Sequence, residues 1–158
     1  MATQKQGSAV EVEVRIAAKP ETIFAYFTDP KKMVKWKGVT AELEPKPNGL
    51  YRVVVLPENI AVGKYVEITP YSKVVFTWGW EGSALAPGST TVEITLTAAG
   101  RETIVRLRHY GLPESLGGQH REGWDHYLAR LAIAASGGDP GPDPWLNRPA
   151  APSSHGKE

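Results

Sequence analysis

Residues 106–131 read RLRHYGLPESLGGQHREGWDHYLARL, and a change of period inside them decides the fold. Up to Tyr110 the period is two: Val105, Leu107 and His109 share one face of an extended segment, and Arg106 and Arg108 take the other. Beyond Gly111-Leu112-Pro113 it becomes helical. His120, Trp124, Tyr127, Leu128, Leu131 and Ala135 fall in one stripe of a helix predicted over Gly118 to Ala135, with Glu122, Asp125 and His126 pointing elsewhere. Gly137-Gly138 ends it. A strand with one apolar face therefore runs directly into the only long amphipathic helix of the chain.

Working back from this stretch, the text is mostly strands and turns. Glu102 to Tyr110 pairs through a hairpin at Ala99-Gly100 with Thr90 to Thr97, which puts Val92, Ile94 and Leu96 on one face and Glu93 and Thr95 on the other. A long loop, Glu81 to Ser89, precedes it. Lys73 to Trp80 carries Val74, Phe76, Trp78 and Trp80 on one face. Ile60 to Thr69, Leu50 to Leu56 and Val39 to Glu44 are three further strands, separated by turns at Pro57-Glu58-Asn59 and Pro45 to Gly49. Two short helices stand before them, one opened by Pro20 and stopped at Asp29-Pro30, the other over Lys31 to Lys37. Val10, Val12, Val14 and Ile16 alternate with Glu11, Glu13 and Arg15 as the first strand. Short connections make successive strands antiparallel neighbours, so the expected fold is α+β: a seven-stranded antiparallel sheet whose apolar face is covered by the C-terminal helix.

The chain of 158 residues has no Cys, 18 Lys and Arg against 17 Asp and Glu, and an apolar share of 41%. This excludes a disulfide scaffold, thiol chemistry and a Cys-based zinc site, and fits a reducing compartment. The charge is balanced and no block of like charges occurs, so the footprint of a nucleic-acid binder is missing. No apolar run approaches the ~20 residues of a membrane helix, and MATQKQGSA contains no apolar core of a secretory signal, so a cytoplasmic setting is expected. Residues 1–136 read as one domain. The last 22 residues hold five of the 13 prolines and read as a flexible tail, with Trp145 and Leu146 as its only large apolar side chains, able to dock on the body or on a partner.

Strand parity and the helix stripe place Phe76, Trp78, Trp80, Ile94, Leu107 and His109 opposite His120, Trp124, Tyr127 and Leu128. Either these side chains fill the space as core, or they line a ligand cavity. Three stretches carry a resemblance that bears on the choice: RIAAKPETIFAYFTDPKKMVKW, VGKYVEITPYSKVVFTWGW and RLRHYGLPESLGGQHREGWDHYLARL. Over Val10 to Ala135 the chain resembles the bacterial single-domain relatives of the activator of heat-shock-protein-90 ATPase, in the START/SRPBCC superfamily. The resemblance implies the helix-grip fold and a cavity between sheet and terminal helix. It also implies a His-x-x-Gly-Trp signature at His120 and Trp124, and an aromatic, Trp36, at the cavity mouth.

Candidate roles follow. His109 is either an inward group that meets a ligand or moves a proton, or a strand-end anchor bonded to the backbone. His120 reads as a hydrogen-bonding anchor or a ligand contact. Gly123, inside the helix, costs about 1 kcal/mol relative to Ala, and a close approach to the sheet is expected to compensate. His120 and His126 are six apart, about 240° around a helix, and no metal site is expected. Phosphate-binding glycine patterns and Gly-x-Ser-x-Gly are absent, so no cofactor is expected. Three functions remain. The first is a carrier or sensor of an apolar, lipid-like or aromatic molecule. The second is a cyclase or dehydratase using His109 or a Tyr such as Tyr51, and the third is a co-chaperone-like interaction domain; a homodimer is left open.

Overall fold

Seven stretches pair into one antiparallel sheet, in the order β1-β7-β6-β5-β4-β3-β2. These are β1 (Val10–Ile16), β2 (Thr40–Leu43), β3 (Leu50–Leu56), β4 (Asn59–Thr69), β5 (Lys73–Trp78), β6 (Thr90–Ala99) and β7 (Glu102–Tyr110). The computed structural model describes residues 9–147. Between β1 and β2 lie two helices, α1 (Pro20–Thr28) and α2 (Pro30–Trp36), each with proline in its first turn, where the missing N–H costs nothing. Asp29 ends α1 and caps α2, its side chain accepting the Lys31 N–H at 2.9 Å. The long helix α3 (Gly117–Ala135) follows β7 after a 3₁₀ turn at Glu114–Leu116. The expected architecture is present, with β5 two residues shorter at its end: Trp80 lies beyond the strand, in a single bridge to Ala61.

The parity expected from sequence governs burial. Val74, Phe76, Trp78, Val92, Ile94, Leu96, Val105, Leu107 and His109 are buried, and His120 and Trp124 of α3 pack over Trp78 and His109. On the wet face, neighbouring strands are laced by Arg106–Glu13 at 3.0 Å, Arg108–Glu11 at 3.0 Å and Lys73–Glu93 at 3.4 Å. These are exposed or half-exposed pairs of small individual worth that suit cross-strand register. The helices are tied in by polar side chains reaching backbone oxygens: Tyr26 Oη donates to Ala134 O, Tyr65 Oη to Phe27 O and Trp36 Nε1 to Tyr26 O.

One expectation is corrected. A methyl group at Gly123 would meet no atom within 4 Å, so no close approach to the sheet offsets the glycine there. Of the two readings open for the C-terminal segment, its start follows the docked one. A 3₁₀ turn at Pro144–Asn147 brings Trp145 onto His126, ring centroids 3.8 Å apart and nearly parallel, while Arg130 donates to the carbonyl of Gly141 at 2.9 Å. Composition alone reads these prolines and glycines as an open tail; side chains of α3 supply the partners. Residues 148–158 of the tail lie outside the described residues.

Candidate functional site

β5 ends on Trp78, β7 on His109 and Tyr110, and the first half of α3 carries His120 and Trp124 one turn apart. The antiparallel register sets His109 beside Val92 and Trp78 beside Thr90, so the ends of β5, β6 and β7 bring these groups to one corner of the sheet. There the rings pack on one another: Trp78 lies 4.5 Å from Trp80, 4.8 Å from His109, 5.4 Å from His120 and 6.0 Å from Trp124, centroid to centroid. The loop after β5 closes over Trp80. Its Leu85 is buried, its carbonyl accepts the Trp80 N–H at 2.7 Å, and a Cβ at Gly79 would strike the Ala86 carbonyl oxygen, so only glycine lets the chain turn back so tightly.

Hydrogen bonds fix both imidazoles. Trp124 Nε1 donates to His109 Nδ1 at 3.0 Å, which makes Nδ1 the acceptor and puts the proton on Nε2. Thr90 Oγ1 donates to Trp78 O at 2.6 Å and accepts from His109 Nε2 at 2.8 Å, consistent with that tautomer. Trp80 Nε1 donates to His120 Nε2 at 3.0 Å, so His120 carries its proton on Nδ1, directed at Leu116 O 2.9 Å away. Burial pushes His109 well below the usual histidine range, with smaller contributions from His120 and Lys37. Burial also lowers His120, against a raising contribution from its bond to Leu116 and a lowering one from Lys37. Both rings are therefore held neutral, with both nitrogens engaged.

The remaining sequence candidates divide. Phe76 stacks on Tyr51 at 4.1 Å in a second aromatic cluster with Tyr65, deeper along the sheet. Burial, and then the neighbouring Tyr65, push the Tyr51 hydroxyl well above its usual value, so it holds its proton. Ile94, Leu107 and Leu128 are aliphatic core. Tyr127 turns toward the C-terminal segment, its hydroxyl donating to Asp143 Oδ2 at 2.8 Å. Trp36, the last residue of α2, is buried and packs edge-on to Phe27.

Lys37 is the functional group that sequence reading missed. It follows α2 one turn after the buried Met33, and its side chain is only 3% exposed. Nζ lies 4.0 Å from the Trp124 ring centroid, 5.9 Å from Trp78 and 6.0 Å from Trp36. Among the described residues it has no hydrogen-bond partner, and neither does the indole N–H of Trp78. Burial pushes Lys37 down from 10.5 to about 7. The available signal was phase: Met33 and Lys37 stand four apart, on one face of the helix expected over Lys31 to Lys37, but a lysine among Lys31, Lys32 and Lys35 reads as solvated.

Among the described residues no group of three or more His, Asp or Glu is placed to hold a metal, and no helix is long and apolar enough to cross a membrane. No protein of curated function matches the chain in sequence. The family model for Activator of Hsp90 ATPase homolog 1-like proteins matches residues 17–136. The solution structure of the AHSA1-like protein RHE_CH02687 from Rhizobium etli is 45% identical over 89% of each chain, with a TM-score of 0.70. DynU16, a protein of the dynemicin biosynthetic locus, is 24% identical over 84% of this chain at a TM-score of 0.75; this chain spans only 49% of its length, and the likeness is one of fold alone. The Aha1 dimer of Colwellia psychrerythraea is likewise similar in fold, 18% identical over 82% of this chain and 97% of its own, TM-score 0.73. A family match over most of the chain, a relative close in sequence over nearly the whole of both, and the helix gripped by a seven-stranded sheet agree: the chain belongs to the family of Activator of Hsp90 ATPase homolog 1-like proteins.

Proposed function

We propose that this domain is a carrier or sensor that binds an apolar, lipid-like or aromatic small molecule between the sheet and α3, at the ring cluster of Trp78, Trp80 and Trp124. One observation carries the reading. Trp36, Trp80 and Trp124 each donate their indole N–H to an acceptor, whereas the equally buried Trp78 finds none among the described residues. A core selected only for packing satisfies its buried donors, and an indole that keeps one in reserve suits a surface that another molecule completes. The rings around it are large and flat, the kind of wall that accepts an apolar body. Access then requires the loop over Trp80 to move. A cytoplasmic setting belongs to the same reading, since a chain without Cys needs no oxidising compartment to fold.

Enzymatic use of His109 or Tyr51 has weaker support. A general acid or base must exchange a proton with a substrate, and both nitrogens of His109 are bonded within the fold while Tyr51 is sealed under Phe76. A co-chaperone-like role is suggested by the family description and would use the charged outer face. The deciding experiment is a titration of tryptophan emission with a panel of neutral naphthalenes, steroids and long-chain alcohols. Saturable quenching by at least one class is expected, and a flat response to the whole panel overturns the reading. Light scattering on the same sample tests the homodimer, the state named for the Colwellia protein.

A further inference from the structure

Around Lys37 the chain supplies donors and keeps its acceptors occupied. An ammonium offers three N–H bonds and no lone pair. Among the described residues Lys37 Nζ has no hydrogen-bond partner and no carboxylate forms an ion pair with it; its neighbours are the faces of Trp124, Trp78 and Trp36. Within the same ring cluster the Trp78 Nε1–H is the second buried donor without a partner. The nitrogen lone pairs nearby are already used, on His109 by Trp124 and on His120 by Trp80. Arg130, the cation that α3 directs toward α2, is committed to the carbonyls of Trp36 and Gly141. The group that completes this locus must therefore bring acceptors, more than one of them, and must be attached to an apolar body that tolerates indole walls.

We propose that Lys37 Nζ and the Trp78 indole N–H form a two-donor anchor for the head group of an apolar monocarboxylic acid, whose hydrocarbon or aromatic body lies against Trp124 and Trp80. This rests on the reading of the domain as a small-molecule binder and names the chemical class it takes. A carboxylate offers two oxygens with lone pairs for both donors, and charge-assisted bonds in a dry site are strong. A neutral apolar ligand would leave both donors buried and unmet. The aromatic faces already favour the ammonium form of Lys37, and the anion completes its neutralisation.

The proposal has a protonic signature. Lys37 is pushed down to about 7, so above that pH its amine is largely neutral, and a bound carboxylate draws a proton from solution to restore the ammonium. The titratable groups facing it, His109 on β7 and His120 on α3, are both held neutral by burial and stay silent in that range.

The test uses the full chain with two probes of matched shape, 2-naphthoate and 2-methylnaphthalene, followed by the indole N–H resonances, with calorimetry of the naphthoate at pH 8 in buffers of different ionisation enthalpy. The expected result is a preference for naphthoate of about tenfold or more, uptake of about one proton per site, and a large displacement of the Trp78 N–H resonance. Lys37→Met, which replaces the amine by an apolar chain of similar length, should abolish the proton uptake and bring the preference to near unity. Trp78→Phe, which keeps a ring and loses the donor, should reduce the preference while the proton uptake persists; it answers the question even if Lys37→Met does not fold. Equal affinity for the two probes, or a preference that survives Lys37→Met, overturns the anchor while leaving the binding reading intact. If neither probe binds, both fall.

Discussion

His120 and Trp124, in the first half of α3, meet the sheet through bonds between uncharged rings. His126, Tyr127 and Arg130, in its second half, meet the segment 139–145 through a carboxylate and a guanidinium. Both halves use a histidine beside a tryptophan. In the first, indoles donate to imidazoles at 3.0 Å in a dry corner, and burial drives both rings neutral. In the second, Asp143 Oδ1 lies 2.8 Å from His126 Nε2 and accepts the Trp145 N–H at 2.9 Å, while Oδ2 takes the Tyr127 hydroxyl. Burial alone would raise Asp143, but the Trp145 amide, His126 and Tyr127 together hold it below its ordinary 3.8. The partners differ, neutral rings in one half and a carboxylate in the other, and pH therefore separates them.

The signs follow from which state binds more protons. His109 and His120 lie below 6.5 in the fold, so their contribution is complete above pH 6.5 and is lost as pH falls below it. The Asp143 contribution is present above 3.8 and is lost only as pH falls through its lower folded value. Lys37 acts at the other limb: between about 7 and 10.5 the unfolded chain is the more protonated, so stability rises with pH across that window.

The largest effect is expected from Trp124→Ala, which removes a buried ring and leaves His109 Nδ1 and the face under Lys37 uncovered. Urea denaturation should register a loss of about 3–5 kcal/mol, and a loss under about 1 kcal/mol would mean that the dry half of α3 is not what fastens it. Next comes the alkaline limb: stability of the native chain should climb by up to about 1.4 kcal/mol per pH unit between pH 7 and 10, with the climb absent in Lys37→Met. A flat native profile would show that Lys37 reaches solvent. Truncation after Gly138 removes Asp143 and Trp145 and should cost about 2 kcal/mol while the sheet signature in circular dichroism persists. An unshifted melting temperature would break the comparison, since the second half of α3 would then need no partner. Smallest is Gly123→Ala, between the two halves, which should gain about 1 kcal/mol because the added methyl meets open space; destabilisation would contradict that geometry.

Alternation made the sheet readable. Each of Val74, Phe76 and Trp78, then Val92, Ile94 and Leu96, then Val105, Leu107 and His109, is buried on the face that period two assigns to it, because a one-residue slip would expose the whole set. The corner of the site was readable for the same reason, as His109 and Trp78 follow their strands inward. Lys37 was not, because its burial depends on three tryptophans brought from α2, β5 and α3, and no local pattern announces such a cage. The docking of residues 139–147 was legible only as one alternative: Asp143 and Trp145 find Tyr127 and His126, and the Gly141 carbonyl finds Arg130, only after α3 has formed, and proline-rich composition reports backbone stiffness rather than partners.

The pairing of β1 with β7 alone has a consequence in time. Even the nearest register pair, Ile16 with Thr103, is 87 residues apart, so VEVEVRI has no strand to pair with until nearly all of the sheet has been made. At ordinary rates of synthesis that interval is on the order of ten seconds, long enough for an alternating apolar strand to find the wrong neighbour on another chain. Glu11, Glu13 and Arg15 interrupt the valines at every second position and discourage such pairing. The same three side chains are then met in the finished sheet by Arg108, Arg106 and Glu102, so the charges that guard the waiting strand become the contacts that seat it.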